Sequence, residues 1–450
     1  QSIGDIYDLK VIWDEKRDPL NFMECTGLVT ILDDYSEVFF GQDTWSDYRK
    51  MSNTVKEYIF KNIPEWNTTH VEVSTKIGAL PSSEDFWVAS SGLMILETTI
   101  NNKNTTLQQE VDKSQTKLMT WLRNMHAAFV AQTGEQWADE FLKENSGTYN
   151  NQYVIVDSKK LTPGVKPTKD LLWVTETMPG IAVKADLTQV LADNLFFPSF
   201  NTPYFEEIQI KANYTNEFAD NSSYYYNETR YLILKREAPS VKSIEDFQKL
   251  MRLNNYLNEP VCNDPSKQVM SRYDLKDRIG LNTSAAFGGL DTKVTSAWRT
   301  LNNLSFIGIW SPVYDDKDLP PWDFDEWSEK HPDKVVKHDG LPSKWTFNWT
   351  DFGSEDYNRC GVAKSKDDCL ELHLCGWCYY DTTCYPGTKS GPALDIQCQA
   401  GWRYPAEEKP WAGAVIISIS VISVVFCFAI YAYNVYLYMQ KKKQQQYNYI

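Results

Sequence analysis

Two short runs near the start, "CTGLVTILD" (25–33) and "EVFFGQDT" (37–44), are rich in apolar, β-branched and aromatic residues. They meet at the turn-forming "DDYSE", a pattern that predicts a strand pair. The next stretch, "SDYRKMSNTVKEYIFKN", spaces Tyr48, Met51, Val55, Tyr58 and Ile59 three and four apart, which predicts a helix capped by Ser46. "HVEVSTKI" and "DFWVASSGLMILETTI" return to strand patterning, and roughly 106–143 reads as helical. "NQYVIVD" and "LLWVTETMPGIAVKAD" read as strands again, with a turn at Pro179-Gly180. Strands alternate with long helices without regular βαβ spacing, so the pattern predicts a layered α+β fold. The Tyr-rich segment 213–230 and the acidic segment 313–335 read as loops, and the composition changes near residue 353.

The C-terminal pattern differs from all of this. Between Pro410 and Gln440 no residue is charged, and "WAGAVIISISVISVVFCFAIYAY" is almost wholly apolar. About 20 such residues cross a bilayer as a helix. A single span over 412–438 is therefore expected, with Trp411 and tyrosines 431, 433, 436 and 438 at its borders. Lys441, Lys442 and Lys443 put the tail 439–450 in the cytoplasm and residues 1–410 in the lumen or outside. Eight glycosylation sequons agree with that orientation: Asn67, Asn104, Asn213, Asn221, Asn227, Asn282, Asn303 and Asn348. Such a topology requires an export signal, expected to have been removed or to lie ahead of Gln1. The tail ends Tyr447-Asn448-Tyr449-Ile450, resembling the tyrosine-x-x-bulky endings of lysosomal membrane glycoproteins. A sorting adaptor is the partner this implies, and a lysosome, phagosome or digestive vacuole the destination, with the cell surface as the alternative.

The 450 residues, 42% of them hydrophobic, suffice for one large core or two moderate ones. Sixty acidic against 45 basic residues, net −15, repel phosphate backbones and argue against nucleic acid as a partner. Six of nine cysteines fall in 360–398: Cys360, Cys369, Cys375, Cys378, Cys384 and Cys398. In an exported chain this predicts three disulfides rather than a zinc site or a redox pair at the CxxC, and leaves 15 pairings open. "CLELHLCGWCYYDTTC" resembles the plexin–semaphorin–integrin (PSI) cysteine-rich module, which implies a small spacer over 353–400 and a juxtamembrane linker over 401–411.

Familiar catalytic motifs are missing: no G-x-S-x-G, H-E-x-x-H or G-x-x-x-x-G-K-[ST] occurs. The five histidines show no ligand spacing, so neither a metal nor a cofactor is expected. Cys25 stands apart, with Cys262 and the apolar-segment Cys427 as the other cysteines outside the cluster. It is either a packed or paired thiol or a nucleophile exposed by scission between Glu24 and Cys25. A freed α-amine, with a pKa of about 7.7–8.0, could serve as the thiol's base without any histidine.

An ordered series of blocks then resembles the phospholipase B-like family of lysosomal hydrolases. They are "ECTGLV", "DTWSDYRKM", "EDFWVASSGLMILETTI", "TWLRNM", "WADEF", "NSGTYNNQYVIVD", "ETMPGIAVKAD", "FFPSFNTPYFE", "LMRLNNYLNEP", "SRYDL" and "GGLDTKVTS", spread from about residue 25 to 352. The resemblance implies a four-layer αββα sandwich of N-terminal-nucleophile (Ntn) type over 25–352, after a leader remnant at 1–24. It implies Cys25 as nucleophile after self-cleavage at Glu24–Cys25, and a phospholipid or acyl-amide substrate. Asn150 or Asn151 is the expected oxyanion donor, with Asn145 as the alternative. Asp43 is expected to orient the amine, Gln42 to lie beside it, and Thr44, Trp45 and Arg272 to contact substrate. Arg272 could equally pair with Asp274. The family pattern has a histidine where Gln42 and Phe287 stand, and a longer segment before the nucleophile. The expected reading is a membrane-anchored acyl hydrolase carrying N-linked glycans, with assembly into homo-oligomers left open. The alternative is an adhesive or structural glycoprotein that kept the fold and lost catalysis.

Overall fold

A computed structural model describes residues 24–60, 63, 66–76, 84–110, 118–147, 149–214, 224–315, 318–338, 340–353, 360–361, 363–372, 375–388, 391–392, 398 and 401–404. Two antiparallel sheets dominate it. One is a meander in sequence order: β3 (Asn53–Ile59), β4 (His70–Lys76), β5 (Phe86–Ala89), β6 (Leu93–Thr99), β7 (Asn151–Asp157), β8 (Leu172–Met178) and β9 (Ile181–Asp186). The other collects distant strands: β1 (Glu24–Ile31), β2 (Val38–Asp47), β10 (Phe196–Ser199), β11 (Phe287–Gly289), β12 (Thr292–Ser296), β13 (Ser305–Ile309) and β16 (Thr350–Gly353). Its order is β10-β1-β2-β12-β13-β16, with β11 also on β2. A minor ladder joins β14 (Trp322–Asp323) to β15 (Lys344–Trp345).

Strand alternation sorts side chains into layers. Val29, Ile31 and Phe40 from one sheet meet Phe86, Val88, Met94, Leu96, Val154 and Val174 from the other in a shared core. The meander's outer face, with Trp87, Ile95, Tyr153 and Ile155, packs under the helices Thr120–Val130 and Gly134–Leu142. The other sheet's outer face, with Leu28, Phe39 and Val294, packs under the helices Thr229–Glu237 and Ile244–Met251. The layers therefore run helix, sheet, sheet, helix. Gly27 permits a close approach between the sheets: a Cβ there would lie 2.7 Å from Leu96 Cδ1.

The two strands around "DDYSE" form as β1 and β2, and Gly180 takes the positive φ that the Pro179-Gly180 hairpin needs. The helix expected over 46–59 does not form. Tyr48–Lys50 make one 3₁₀ turn, and Asn53–Ile59 become edge strand β3. The apparent helical face is divided: Tyr48 and Met51 pack with Trp322 and Trp327, Val55 joins the inter-sheet core, Tyr58 lies under Phe129, and Ile59 is exposed. Pairing along β4 overrides a spacing that coincides with helical period. Among its described residues, the stretch 106–143 divides into a 3₁₀ turn and two helices broken at Ala131–Thr133.

Neither segment read as loop is wholly so. Tyr225 is buried and donates to the Pro198 carbonyl, and Trp322, Phe324 and Trp327 are buried around the helix Phe324–Lys330. The six clustered cysteines form the disulfides Cys360–Cys375, Cys369–Cys384 and Cys378–Cys398 around the strands β17 (Cys375–Cys378) and β18 (Thr383–Thr388). The two CxxC cysteines thus belong to different bridges, which removes the zinc and redox readings. Of the sequons, Asn67, Asn213, Asn227, Asn282 and Asn348 are exposed, and Asn104 and Asn303 are half-buried. Asn221, the expected span 412–438 and the Tyr447–Ile450 tail lie outside the described residues. Among the described residues, no helix is long and apolar enough to cross a membrane.

Candidate active site

Register positions the chemistry. In the β1–β2 ladder Cys25 lies opposite Thr44, Thr26 opposite Asp43 and Gly27 opposite Gln42, while β12 sets Lys293 opposite Gln42. Directly opposed residues share a face. Cys25, Thr44, Gln42 and Lys293 therefore face the meander sheet. Asp43 faces the helical layer beyond, where Thr292 and Arg252 surround it.

Cys25 is fully buried and free of any disulfide, as is the half-buried Cys262, so the two are not paired. Its backbone is held on both sides. The α-nitrogen donates to Asn201 Oδ1 at 3.0 Å, and Arg230 Nη1 donates to its carbonyl at 2.8 Å. Asn201 has φ +68° and fixes its own side chain by donating from Nδ2 to the Thr99 carbonyl at 2.7 Å. Arg230 also donates to Thr26 Oγ1, Asn201 Oδ1 and the Phe200 carbonyl, with its guanidinium 4.3 Å from the Trp45 ring centroid. Burial pushes the Cys25 thiol well up, and the negative charges of Glu97 and Asp85 add to that. Lys293 and the Trp45 backbone N–H pull the other way.

Beside the thiol lies a buried charge cluster. Lys293 Nζ donates to Asp291 Oδ1 at 2.6 Å and Thr44 Oγ1 at 2.7 Å, and sits 3.6 Å from Asp85 Oδ1. Thr44 Oγ1 donates a hydrogen bond to Asp85, and Asn53 donates to Asp291. Gln42 Nε2 donates to the Glu97 carbonyl at 3.1 Å. Glu97 is pushed up to about 7 by burial, despite a hydrogen bond from Asn151 Nδ2.

The expected site residues thus divide. Cys25, Gln42 and Thr44 come together. Asp43 is on the opposite face of β2, so it does not reach the α-nitrogen; Asn201 does. Asn151 is committed to Glu97, whereas the side-chain amide of neighbouring Asn150 makes no hydrogen bond among the described residues. Asn145 accepts from Arg123 and the Gly147 N–H and shapes a turn. Trp45 is buried beneath Arg230 rather than lining an open surface. Arg272 is fully buried, bidentate to Asp274 and bonded to the Val313 and Pro320 carbonyls, the structural alternative of its two readings. Phe287 stacks edge-on against Tyr273.

Sequence reasoning missed Asn201, Arg230, Asp85, Asp291, Lys293 and Glu97. A signal existed for three of them: Glu97 and Lys293 interrupt otherwise apolar or β-branched strands, and Asp291 lies two residues from Lys293. Charges inside a buried strand imply a partner. Two groupings among the described residues have metal-ligand chemistry. Cys360, Cys375 and Cys384 are all bridged; Glu57, His70 and Glu72 lie on β3 and β4.

A two-sheet, helix-flanked α/β domain with a gripped cysteine heading its first strand is the class defined by this geometry. The family profile described as Phospholipase B matches residues 1–352, and the chain belongs to that family. It is 35% identical over 339 residues to phospholipase B-like protein B of Dictyostelium discoideum, covering 74% of this chain and 58% of that one. It is 31% identical over 378 residues to human putative phospholipase B-like 2, covering 77% and 62% respectively. The chain thus spans less than two thirds of the length of these curated relatives. Among solved structures, a conjugated bile acid hydrolase from Clostridium perfringens superposes with a TM-score of 0.36 at 11% identity, covering 74% of this chain and 97% of that one. A likeness that shallow says nothing about chemistry.

Proposed function

We propose that the protein is an acyl hydrolase of Ntn type, using Cys25 as its nucleophile once the bond to Glu24 is cut. One observation carries this reading: Asn201 and Arg230 grip the nitrogen and the carbonyl of a single buried cysteine. Both partners are side chains, Asn201 and Arg230, where a strand residue's backbone is ordinarily paired with its neighbour's backbone. In the uncut chain that nitrogen is an amide and cannot act as a base. Scission makes it an amine titrating at about 7.7–8.0, able to take the thiol proton.

Sulfur then attacks the substrate carbonyl, and the ammonium returns its proton to the departing oxygen or nitrogen as that bond breaks. Water hydrolyses the resulting thioester, with the amine again the base. Asn201 Oδ1 accepts from the ammonium and aims it, while Lys293 favours the thiolate. Asn150 is assigned the oxyanion, a contact worth roughly 3 kcal/mol in other acyl-transfer enzymes. The substrate is a fatty-acyl ester of a phospholipid or an acyl amide.

The same reading makes 412–438 a membrane anchor and 353–400 a PSI-like spacer. The catalytic domain is then luminal and glycosylated, and Tyr447–Ile450 is a lysosomal sorting signal.

The test is intact mass and N-terminal sequencing of the protein before and after acidification, with turnover of a phospholipid and an N-acyl amide. The expected outcome is a new terminus Cys-Thr-Gly and activity that falls about a thousandfold or more in Cys25→Ala. An uncut chain, or a Cys25→Ala variant hydrolysing as well as wild type, overturns the proposal. The anchored, non-catalytic glycoprotein would then stand.

A further inference from the structure

In the β3–β4 ladder Glu57 lies directly opposite Glu72, and His70 is two residues before Glu72. All three share the face that Val55 presents to the inter-sheet core. One ligand atom from each lies within 4.8 Å of the others, and His70 Nε2 is 2.6 Å from Glu57 Oε1. Like charges directly opposed weaken a ladder.

Glu72 makes the arrangement harder to explain as packing. It is only 3% exposed, and among the described residues no donor reaches its carboxylate. The charges it does feel, Glu57 and Asp351, are both acidic. Asp351 lies on β16, the outer strand of the facing sheet, and is itself paired with Arg299. A buried carboxylate without a donor, beside other carboxylates, either keeps its proton or takes up a cation.

We propose that Glu57, His70 and Glu72 bind a divalent cation of the Zn²⁺ or Mn²⁺ class. Two carboxylates and a neutral imidazole balance a charge of +2, and water completes the coordination. Mixed imidazole and carboxylate donors suit these ions, whereas Ca²⁺ and Mg²⁺ favour all-oxygen shells. The hydrogen bond between His70 and Glu57 gives way to two bonds to the ion. The site lies on the face that β3 and β4 turn toward β16, and the ion would clip the edge strand β3 to its neighbour. Sequence spacing conceals it because Glu57 comes from a different strand.

The assignment is independent of Cys25 chemistry. Full-length protein is stripped with a chelator, exchanged into metal-free buffer and titrated calorimetrically with ZnCl₂, MnCl₂, CaCl₂ or MgCl₂. One equivalent of zinc or manganese is expected to bind and raise the thermal midpoint. Glu72→Gln should weaken binding at least about tenfold and abolish the metal-dependent rise. A control at the exposed pair, His126→Asn, should bind as wild type does. Absence of a one-equivalent binding event, unchanged affinity in Glu72→Gln, or equal affinity for Ca²⁺ would overturn the site.

Discussion

Replacing Lys293 with methionine keeps most of the stem and removes the ammonium from a fully buried position. Asp291 and Asp85, with side-chain exposures of 1% and 5%, then lose their shared cation. Breaking a buried pair by deleting one partner costs about 3–5 kcal/mol. Asp291 retains the Thr44 N–H and Asn53, and Asp85 retains the Thr44 hydroxyl. The value should therefore fall at the low end, about 3 kcal/mol. The penalty belongs to ionised carboxylates, and burial already raises Asp291 in the intact cluster. The gap between variant and wild type should thus be widest near pH 7.5 and narrow toward pH 5. Urea denaturation followed by tryptophan fluorescence at both pH values measures it. Adding Asp291→Asn should recover part of the loss, as expected for coupled partners. A Lys293→Met variant within about 0.5 kcal/mol of wild type near pH 7.5, or a gap that grows on acidification, would refute the reasoning.

Glu37, Glu97 and Glu176 are each pushed up to about 7 by burial. Because their folded pKa values lie above the unfolded ones, their contribution is full below about pH 4.5 and is lost as pH rises through about 7. The thermal midpoint should climb between about pH 7.5 and 5, and a steady fall over that window would contradict it. Gly27→Val should cost about 1–3 kcal/mol by forcing β1 off Leu96, measured by the same denaturation; wild-type stability would show that the sheets are not in tight contact there.

Where pattern and local chemistry agreed, the fold was legible. The β1–β2 pair, the Pro179-Gly180 hairpin and the bridged cysteines all follow from turn residues, β-branched runs and cysteine number. The helix expected over 46–59 failed because side-chain spacing is blind to a pairing partner. Val55, Tyr58 and Ile59 have helical spacing and strand neighbours at once, and only β4 decides between them. The juxtaposition of Cys25, Gln42 and Thr44 was legible, because they occupy two consecutive strands. Asn201, Arg230 and Lys293 come from 176, 205 and 268 residues further along (201 − 25, 230 − 25 and 293 − 25). No local rule brings such residues together; only the sheet order does.

That order also sets a timetable. The meander can zip up from neighbours as the chain emerges, whereas the β1 sheet must wait for β10, β12 and β13. Until Lys293 has left the ribosome, the Glu24–Cys25 linkage has no finished pocket around it. Under the proposed scission, a nascent or truncated polypeptide would be spared premature processing, and only one that has supplied β10, β12 and β13 would be cut.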